Sequence, residues 1–313
     1  MMEAVGRQPL LMLNGISSYA EKLLNESFDA DRLDRVSDPQ RFLAENGSRF
    51  RAVATEAPLG FPAHLWDALP ALEIVVVHGV GIDRIDLDEA RRRNVVVMKS
   101  PDILSEDVAD LAIGMWIGLS RRLAQGDSYV RDGRWRAGAP FAFSRKVTGQ
   151  RVGMVGLGSI GKAIARRAEA FASQIAYTSR SQAPGVAYDY EPAIADLARR
   201  SDALFVAVPG GGQTASLIGP DVLAALGPSG MLINVSRGSV VDETALISSL
   251  QTRRIGGAAL DVFLGEPDIN PAFAELDNVL LQPHQGSATA ETRQQMAETM
   301  MLQLRAHFAR TAG

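Results

Sequence analysis

The 313-residue chain is long enough to bury two cores, and its 46% hydrophobic and 22% charged residues are the make-up of a globular protein rather than of a disordered or membrane-embedded one. It has no cysteine, which excludes disulfides, thiolate metal sites and a cysteine nucleophile. A net charge of −4 argues against a polyanion-binding surface, so no nucleic-acid partner is expected.

The amino-terminal stretch MMEAVGRQPLLMLNG carries a short apolar patch and no signal-peptide layout. No apolar run reaches the length of a bilayer span, so a cytoplasmic protein of bacterial style with no membrane partner is expected. Apolar runs at 10–13 (LLML), 51–55 (RAVAT), 73–77 (EIVVV) and 94–98 (NVVVM) read as strands of one sheet. His64 precedes a helix start and reads as structural; His78 ends the third run and fits either a cleft or a packed position. Ser105 to Gln125 reads as one helix, with Val108, Leu111, Ala112, Met115, Trp116 and Leu119 at helical spacing. Ser105 suits its cap, and Glu106 and Asp107 its positive end. Ala109, Ile113 and Ile117 make its other faces apolar too, so burial between domains or between subunits is expected. Trp135, in GRWRAGAPFAF, fits either a core or an active site, a neighbouring subunit's included.

Runs at 151–156 (RVGMVG), 174–179 (QIAYTS), 203–209 (ALFVAVP), 231–236 (MLINVS), 257–262 (GAALDV) and 279–283 (VLLQP) read as strands of a second sheet. Unbroken apolar runs between helical stretches are the pattern of parallel strands buried on both faces, so the chain reads as α/β with two sheets. A terminal helix over 290–309, with His307 on its surface, is placed to pack back on the first domain.

Gly156, Gly158 and Gly161 stand in G-x-G-x-x-G spacing, with Leu157, Ser159 and Ile160 between them, after a strand and opening a helix. The first glycine permits the tight turn, the second the approach of a pyrophosphate, the third close packing of helix on strand. The helix start then offers unpaired N–H groups to phosphate. Such a loop ordinarily leads on to an acid that holds the cofactor ribose. Here the segment from Phe171 to Tyr188 has no Asp or Glu, and Ser179, Arg180 and Ser181 take the place. A carboxylate would repel a 2′-phosphate; an arginine attracts one, with the serines as donors. NADP(H) is therefore the preferred cofactor, with NAD(H) possible, in which case Arg180 is a solvated surface residue.

The ends of the second set of strands carry Gly156–Gly158, Ser179–Arg180, Pro209, Ser236–Arg237, Asp261 and Pro283–His284, at the edge where ligands of open parallel sheets bind. Taken singly, Arg237 fits a surface ion pair, Glu266 a solvated loop acid and Asp261 a helix cap. Taken together, a cation for charge developing on a carbonyl oxygen and an imidazole for the proton make one chemistry. No metal is expected, because paired histidines and cysteines are lacking.

The motifs GLGSIG, NVSRGSVVDE, ALDVFLGEP and LQPHQGSAT, in this order, resemble the D-isomer-specific 2-hydroxyacid dehydrogenases. So do VHGVGIDRIDL (77–87) and SPDILSEDVADLAIG (100–114). Within that family the serine–arginine–serine loop is similar to that of the glyoxylate and hydroxypyruvate reductases that use NADPH. The resemblance implies two Rossmann-like or flavodoxin-like parallel-sheet domains with an active-site cleft between them. Residues 1–99 with 286–313 would bind substrate and 100–285 the dinucleotide. Arg237 would bind the 2-oxo acid, His284 serve as acid and base, and Glu266 hydrogen-bond His284. Asp261 would lie near the nicotinamide. Val80 and Gly81 N–H groups would hold the substrate carboxylate, and Val208, Pro209, Thr214, Val235, Ser236 and Gly286 would line the cofactor.

The expected activity is reduction of small 2-oxo acids to D-2-hydroxy acids by a homodimer. Hydroxyphenylpyruvate, D-lactate and phosphoglycerate dehydrogenases are the enzyme alternatives, and a dinucleotide-sensing corepressor-like protein the other. Gln285, the run Gly210–Gly212 and His78 depart from the family pattern and bear on substrate preference.

Overall fold

The computed structural model describes residues 7–100 and 102–311, so the readings of residues 1–6 and of Pro101 lie outside the described residues. Contacts divide the chain into two compact units, Met1–Leu104 with Thr289–Gly313, and Ser105–Ala288.

The first unit holds β1 (Pro9–Met12), β2 (Asp29–Arg32), β3 (Ala52–Glu56), β4 (Ile74–His78) and β5 (Val96–Lys99), all parallel in the order β2-β1-β3-β4-β5. Alternate residues feed two cores. Leu11, Val53, Val75 and Val77 pack with Phe50, Leu65 and Trp66 on one face. Leu10, Met12, Ala54 and Val76 pack with Ala297, Met300 and Leu304 of the terminal helix Ala290–Thr311 on the other. Burial on both faces is why these strands read as unbroken apolar runs. Strand β2 escapes a pattern search because it is an edge strand of sequence DADR, exposed or half-buried throughout, held in register by backbone pairing to β1.

Two histidines of this unit are buried. His307 is not on the surface, as its place in the terminal helix suggested: it is 6% exposed, and its Nε2 lies 3.1 Å from Glu73 Oε2. Glu73 in turn accepts from Nε and Nη2 of Arg51, at 2.6 and 2.9 Å. A partner just before β4 is what allows a polar ring to be buried on this helix. His78, at the end of β4, is 1% exposed and packed, with Arg293 Nη1 3.4 Å from its Nδ1. Burial, reinforced by the positive charge of Arg293, pushes His78 down to about 4 from its ordinary 6.5. The folded chain therefore resists protonation that the unfolded chain accepts. Its contribution is complete above the unfolded value and is lost as pH falls from there to about 4, a span on the order of 3 kcal/mol. Urea unfolding across that window should show a shallower loss of stability for His78→Asn than for the parent.

The second unit holds β6 (Arg151–Val155), β7 (Gln174–Thr178), β8 (Asp189–Tyr190), β9 (Ala203–Val206), β10 (Met231–Asn234), β11 (Gly257–Leu260) and β12 (Val279–Leu281), parallel in the order β12-β11-β10-β9-β6-β7-β8. β8, two residues at the edge, is again a strand without an apolar run. The stretch 105–125 is not one helix. A helix Ser105–Ser120 ends, Arg122 takes a left-handed conformation (φ 54°), and a second helix runs Leu123–Arg131. No glycine or proline marks this break in the sequence. The apolar faces of the first helix are used inside the unit: Trp116 is fully buried, its ring edge-on to Phe171 and Phe205, and its indole N–H donates to Gln150 at 2.8 Å. Trp135 belongs to no core, being 70% exposed.

Candidate active site

The chain leaves β6 for a helix on its way to β7 and later returns to β9 on the other side of β6, so the connections leaving the carboxyl ends of β6 and β9 run in opposite directions, the switch point at which a ligand crevice forms in such sheets. Gly156 opens the loop there with φ 95°, and a Cβ on it would stand 2.5 Å from the Ala207 carbonyl oxygen. A Cβ on Gly161 would stand 2.2 Å from the Gly156 carbonyl oxygen. Both positions are closed to any other residue. Gly158 differs: nothing lies within 4 Å of where its Cβ would be. It precedes the helix Ser159–Ala168 and gives it no side-chain cap. An open, uncapped helix start beside a tight turn fits a dinucleotide pyrophosphate. Leu157 is buried, and Ile160 is half-buried.

Ser179, Arg180 and Ser181 follow β7. Arg180 is exposed and makes no ion pair among the described residues, whereas the Ser179 hydroxyl donates to the Ser181 carbonyl at 2.6 Å. After β9, Val208 is half-buried and Pro209 is exposed. The glycine run behind them is closed into a turn, with the Thr214 hydroxyl donating to the carbonyls of Pro209 (2.7 Å) and Gly211 (3.2 Å).

The loop after β10 is shaped by a residue that strand-end motifs do not pick out. Asn234, buried at the strand end, accepts the Ser236 N–H at 3.0 Å and donates to the Arg237 carbonyl at 3.1 Å. This side chain bridges the turn that presents Arg237, and an Asx-type turn is the signal in N-V-S-R that could have found it. Val235 and Ser236 are buried, and the Ser236 hydroxyl accepts the Arg237 N–H at 2.6 Å. The Arg237 guanidinium is half-buried and donates through Nη1 to the Ser236 carbonyl at 2.8 Å.

The loops after β11 and β12 meet through carboxylates. Glu266 accepts the Phe263 N–H on Oε1 at 2.7 Å, and its Oε2 lies 2.7 Å from His284 Nδ1. Burial works to raise the Glu266 carboxyl, but the bonds from His284 and Phe263, with the positive charge of Arg237, outweigh it and hold the group below the usual glutamate range. An ionised Glu266 accepts the Nδ1 proton, which leaves Nε2 as the free nitrogen of His284. His284 itself has φ 55°, an uncommon conformation for a residue with a Cβ. The next two residues hold it there: Gln285 N–H and Gly286 N–H donate to the two oxygens of buried Asp261 at 2.6 and 2.8 Å. Asp261 is raised by its burial, against the two N–H donors that lower it. It braces the histidine loop, and the Gln285 amide folds back on the Pro283 carbonyl at 3.2 Å. Glu243, also unforeseen, accepts the Leu264 N–H at 3.2 Å and steadies the Phe263–Glu266 turn.

Val80 and Gly81 lie in the first unit, in the loop after β4. Their N–H groups have no hydrogen-bond partner among the described residues. The loop is set by Gly79, whose N–H reaches Ser100 Oγ at 3.3 Å and whose Cβ would stand 2.7 Å from that of Ala57. Among the described residues no group of three or more His, Asp or Glu side chains is placed to hold a metal ion, and no helix is long and apolar enough to cross a membrane.

A family model for the NAD binding domain of D-isomer specific 2-hydroxyacid dehydrogenases matches residues 113–286. Over 308 residues the chain is 46% identical to a glyoxylate/hydroxypyruvate reductase A of Arabidopsis thaliana, covering 98% of this chain and 97% of that protein. It is 44% identical to a hydroxyphenylpyruvate reductase of Plectranthus scutellarioides over the same shares. A crystal structure of an NADPH-dependent glyoxylate/hydroxypyruvate reductase from Sinorhizobium meliloti, in complex with NADP and malonate, superposes with a TM-score of 0.90 at 40% identity, covering 97% of this chain and 94% of that one. With a glycine cradle at the β6–β9 crevice, a histidine held by a glutamate from a neighbouring loop and likeness of this depth over almost the full length, the chain belongs to the D-isomer specific 2-hydroxyacid dehydrogenase family.

Proposed function

We propose that the chain is a cytoplasmic, homodimeric NADPH-dependent reductase of small 2-oxo acids, glyoxylate and hydroxypyruvate, giving D-2-hydroxy acids, with NADH as a weaker substitute. The observation that carries this is the 2.7 Å pairing of His284 with Glu266 in a chain whose cofactor loop offers an arginine instead of an acid. The similarity to the Arabidopsis and Sinorhizobium reductases supports it. In this reading the second unit binds the dinucleotide and the first the substrate. When bound, the reduced nicotinamide supplies the hydride. Arg237 stabilises the negative charge that grows on the carbonyl oxygen. His284 delivers the proton from Nε2, and Glu266 holds the ring in that orientation. Val80 and Gly81 take the substrate carboxylate through their N–H groups. Leu123, Val130, Trp135, Phe141 and Phe143, exposed apolar side chains of the second unit, support the homodimer.

The likeness to the hydroxyphenylpyruvate reductase favours a second reading, in which an aryl pyruvate is the better substrate. Initial rates with NADPH and NADH, each against hydroxypyruvate, glyoxylate, pyruvate and an aryl pyruvate, decide between them. Arg180→Asp should raise the KM for NADPH by about 10- to 100-fold and affect NADH far less, the scale of one charge-assisted hydrogen bond. NADH preference in the parent would make Arg180 a bystander. Cofactor binding without turnover on any of these acids would point to a sensor.

A further inference from the structure

Two tyrosine hydroxyls grip the ends of the loop that carries Arg180. Tyr177 of β7 and Tyr190 of β8 are register partners in the parallel pair, their rings 5.4 Å apart. The buried Tyr177 hydroxyl accepts the Ala183 N–H at 2.8 Å, which closes the loop at its far end. The Tyr190 hydroxyl donates to the Ser179 carbonyl at 3.2 Å, beside Arg180. Between these anchors the Ser179 hydroxyl spans to the Ser181 carbonyl. Arg180 thus stands on a short arch fixed at both feet, its own side chain exposed. Strand β8 is only two residues long, and Tyr190 is its half-buried member. Its placement at the loop gives this edge strand a role that core packing does not.

We propose that Tyr190, backed by Tyr177, is a positioning residue for cofactor choice. By fixing the Ser179 carbonyl it presets the backbone from which Arg180 meets a ribose 2′-phosphate, and so favours NADP(H) over NAD(H) without touching either. An arch ordered beforehand loses less freedom on binding than a free loop does. This rests on the reading of Arg180 as the 2′-phosphate partner.

The test compares Tyr190→Phe, Arg180→Ala, their double variant and Tyr188→Phe, whose hydroxyl donates to Glu169 outside the arch. Binding of NADP+ and NAD+ is followed by quenching of protein fluorescence, and KM and kcat are measured with both reduced cofactors. Tyr190→Phe should weaken NADP+ about three- to tenfold, the scale of one hydrogen bond, with NAD+ affinity and kcat within about twofold. Tyr188→Phe should leave the NADP+ to NAD+ ratio as it is. The double variant should bind NADP+ no worse than Arg180→Ala, because Tyr190 acts through the arginine. Equal weakening of both cofactors, no change in either, or additive losses in the double variant would each overturn the proposal. If Arg180→Ala leaves NADP+ binding intact, the 2′-phosphate reading falls and this inference with it. If Arg180→Ala weakens NADP+ and Tyr190→Phe does not, only the inference falls.

Discussion

His284→Asn is expected to lower kcat for 2-oxo acid reduction by about 10²–10⁴-fold while NADPH binds within about twofold of the parent. Asparagine is the replacement of choice because His284 has φ 55°, and asparagine tolerates that left-handed conformation better than most residues with a Cβ. The Asp261 brace on Gln285 and Gly286 uses backbone N–H groups alone, so it survives the change. What is lost is the proton at Nε2 and the partner of Glu266. Rapid-mixing measurement of the chemical step, beside a cofactor titration, separates the two effects. A fall in kcat of less than about tenfold would mean that the proton comes from another group.

The second large effect is structural in origin and catalytic in outcome. A Cβ on Gly238 would stand 2.0 Å from the Phe263 carbonyl carbon and 2.1 Å from its oxygen. Both neighbours are backbone, so no side chain can swing away. Gly238→Ala therefore has to push the Arg237 turn away from the Phe263–Glu266 turn, at about 2–4 kcal/mol of stability. The same displacement separates the proposed substrate arginine from the carboxylate that orients the proposed acid. Misplacement by an ångström costs about 10²-fold in rate, so kcat should fall by that order even in the fraction that folds. Denaturant unfolding and kcat measured on the same preparation read both parts. Parent-like stability would show that the two turns yield more easily than their close approach suggests.

The sequence is legible where physical chemistry leaves one option. The strands β3, β4, β9 and β10 are buried on both faces, so their apolar runs are unbroken and stand out. The glycine loop is legible because Gly156 and Gly161 admit no other residue. β2 and β8 are not, because an edge strand held by backbone pairing needs no apolar side chains. The break at Arg122 carries no helix-breaking residue, and His307 is buried rather than exposed because helical spacing gives a face and not the partner waiting on it. In the site, Glu266 and His284 lie 18 residues apart at the ends of different loops, and only family likeness joins them in advance. Asn234, Glu243 and Tyr190 work through main-chain contacts, which residue identity alone does not announce.

Strand order has a consequence for how such an enzyme can change. β7 and β8, with the arch of residues 179–183, sit at one border of the second sheet, and β11 and β12, with Glu266 and His284, at the other. The arch is anchored by hydrogen bonds within its own strand pair. On the proposed reading of Arg180, the choice of electron donor is a separable cassette. A graft of residues 177–190 from a relative with a different nucleotide preference would carry its anchors with it and leave the proposed acid–base pair, Glu266 and His284, undisturbed, so the two traits would be free to drift independently.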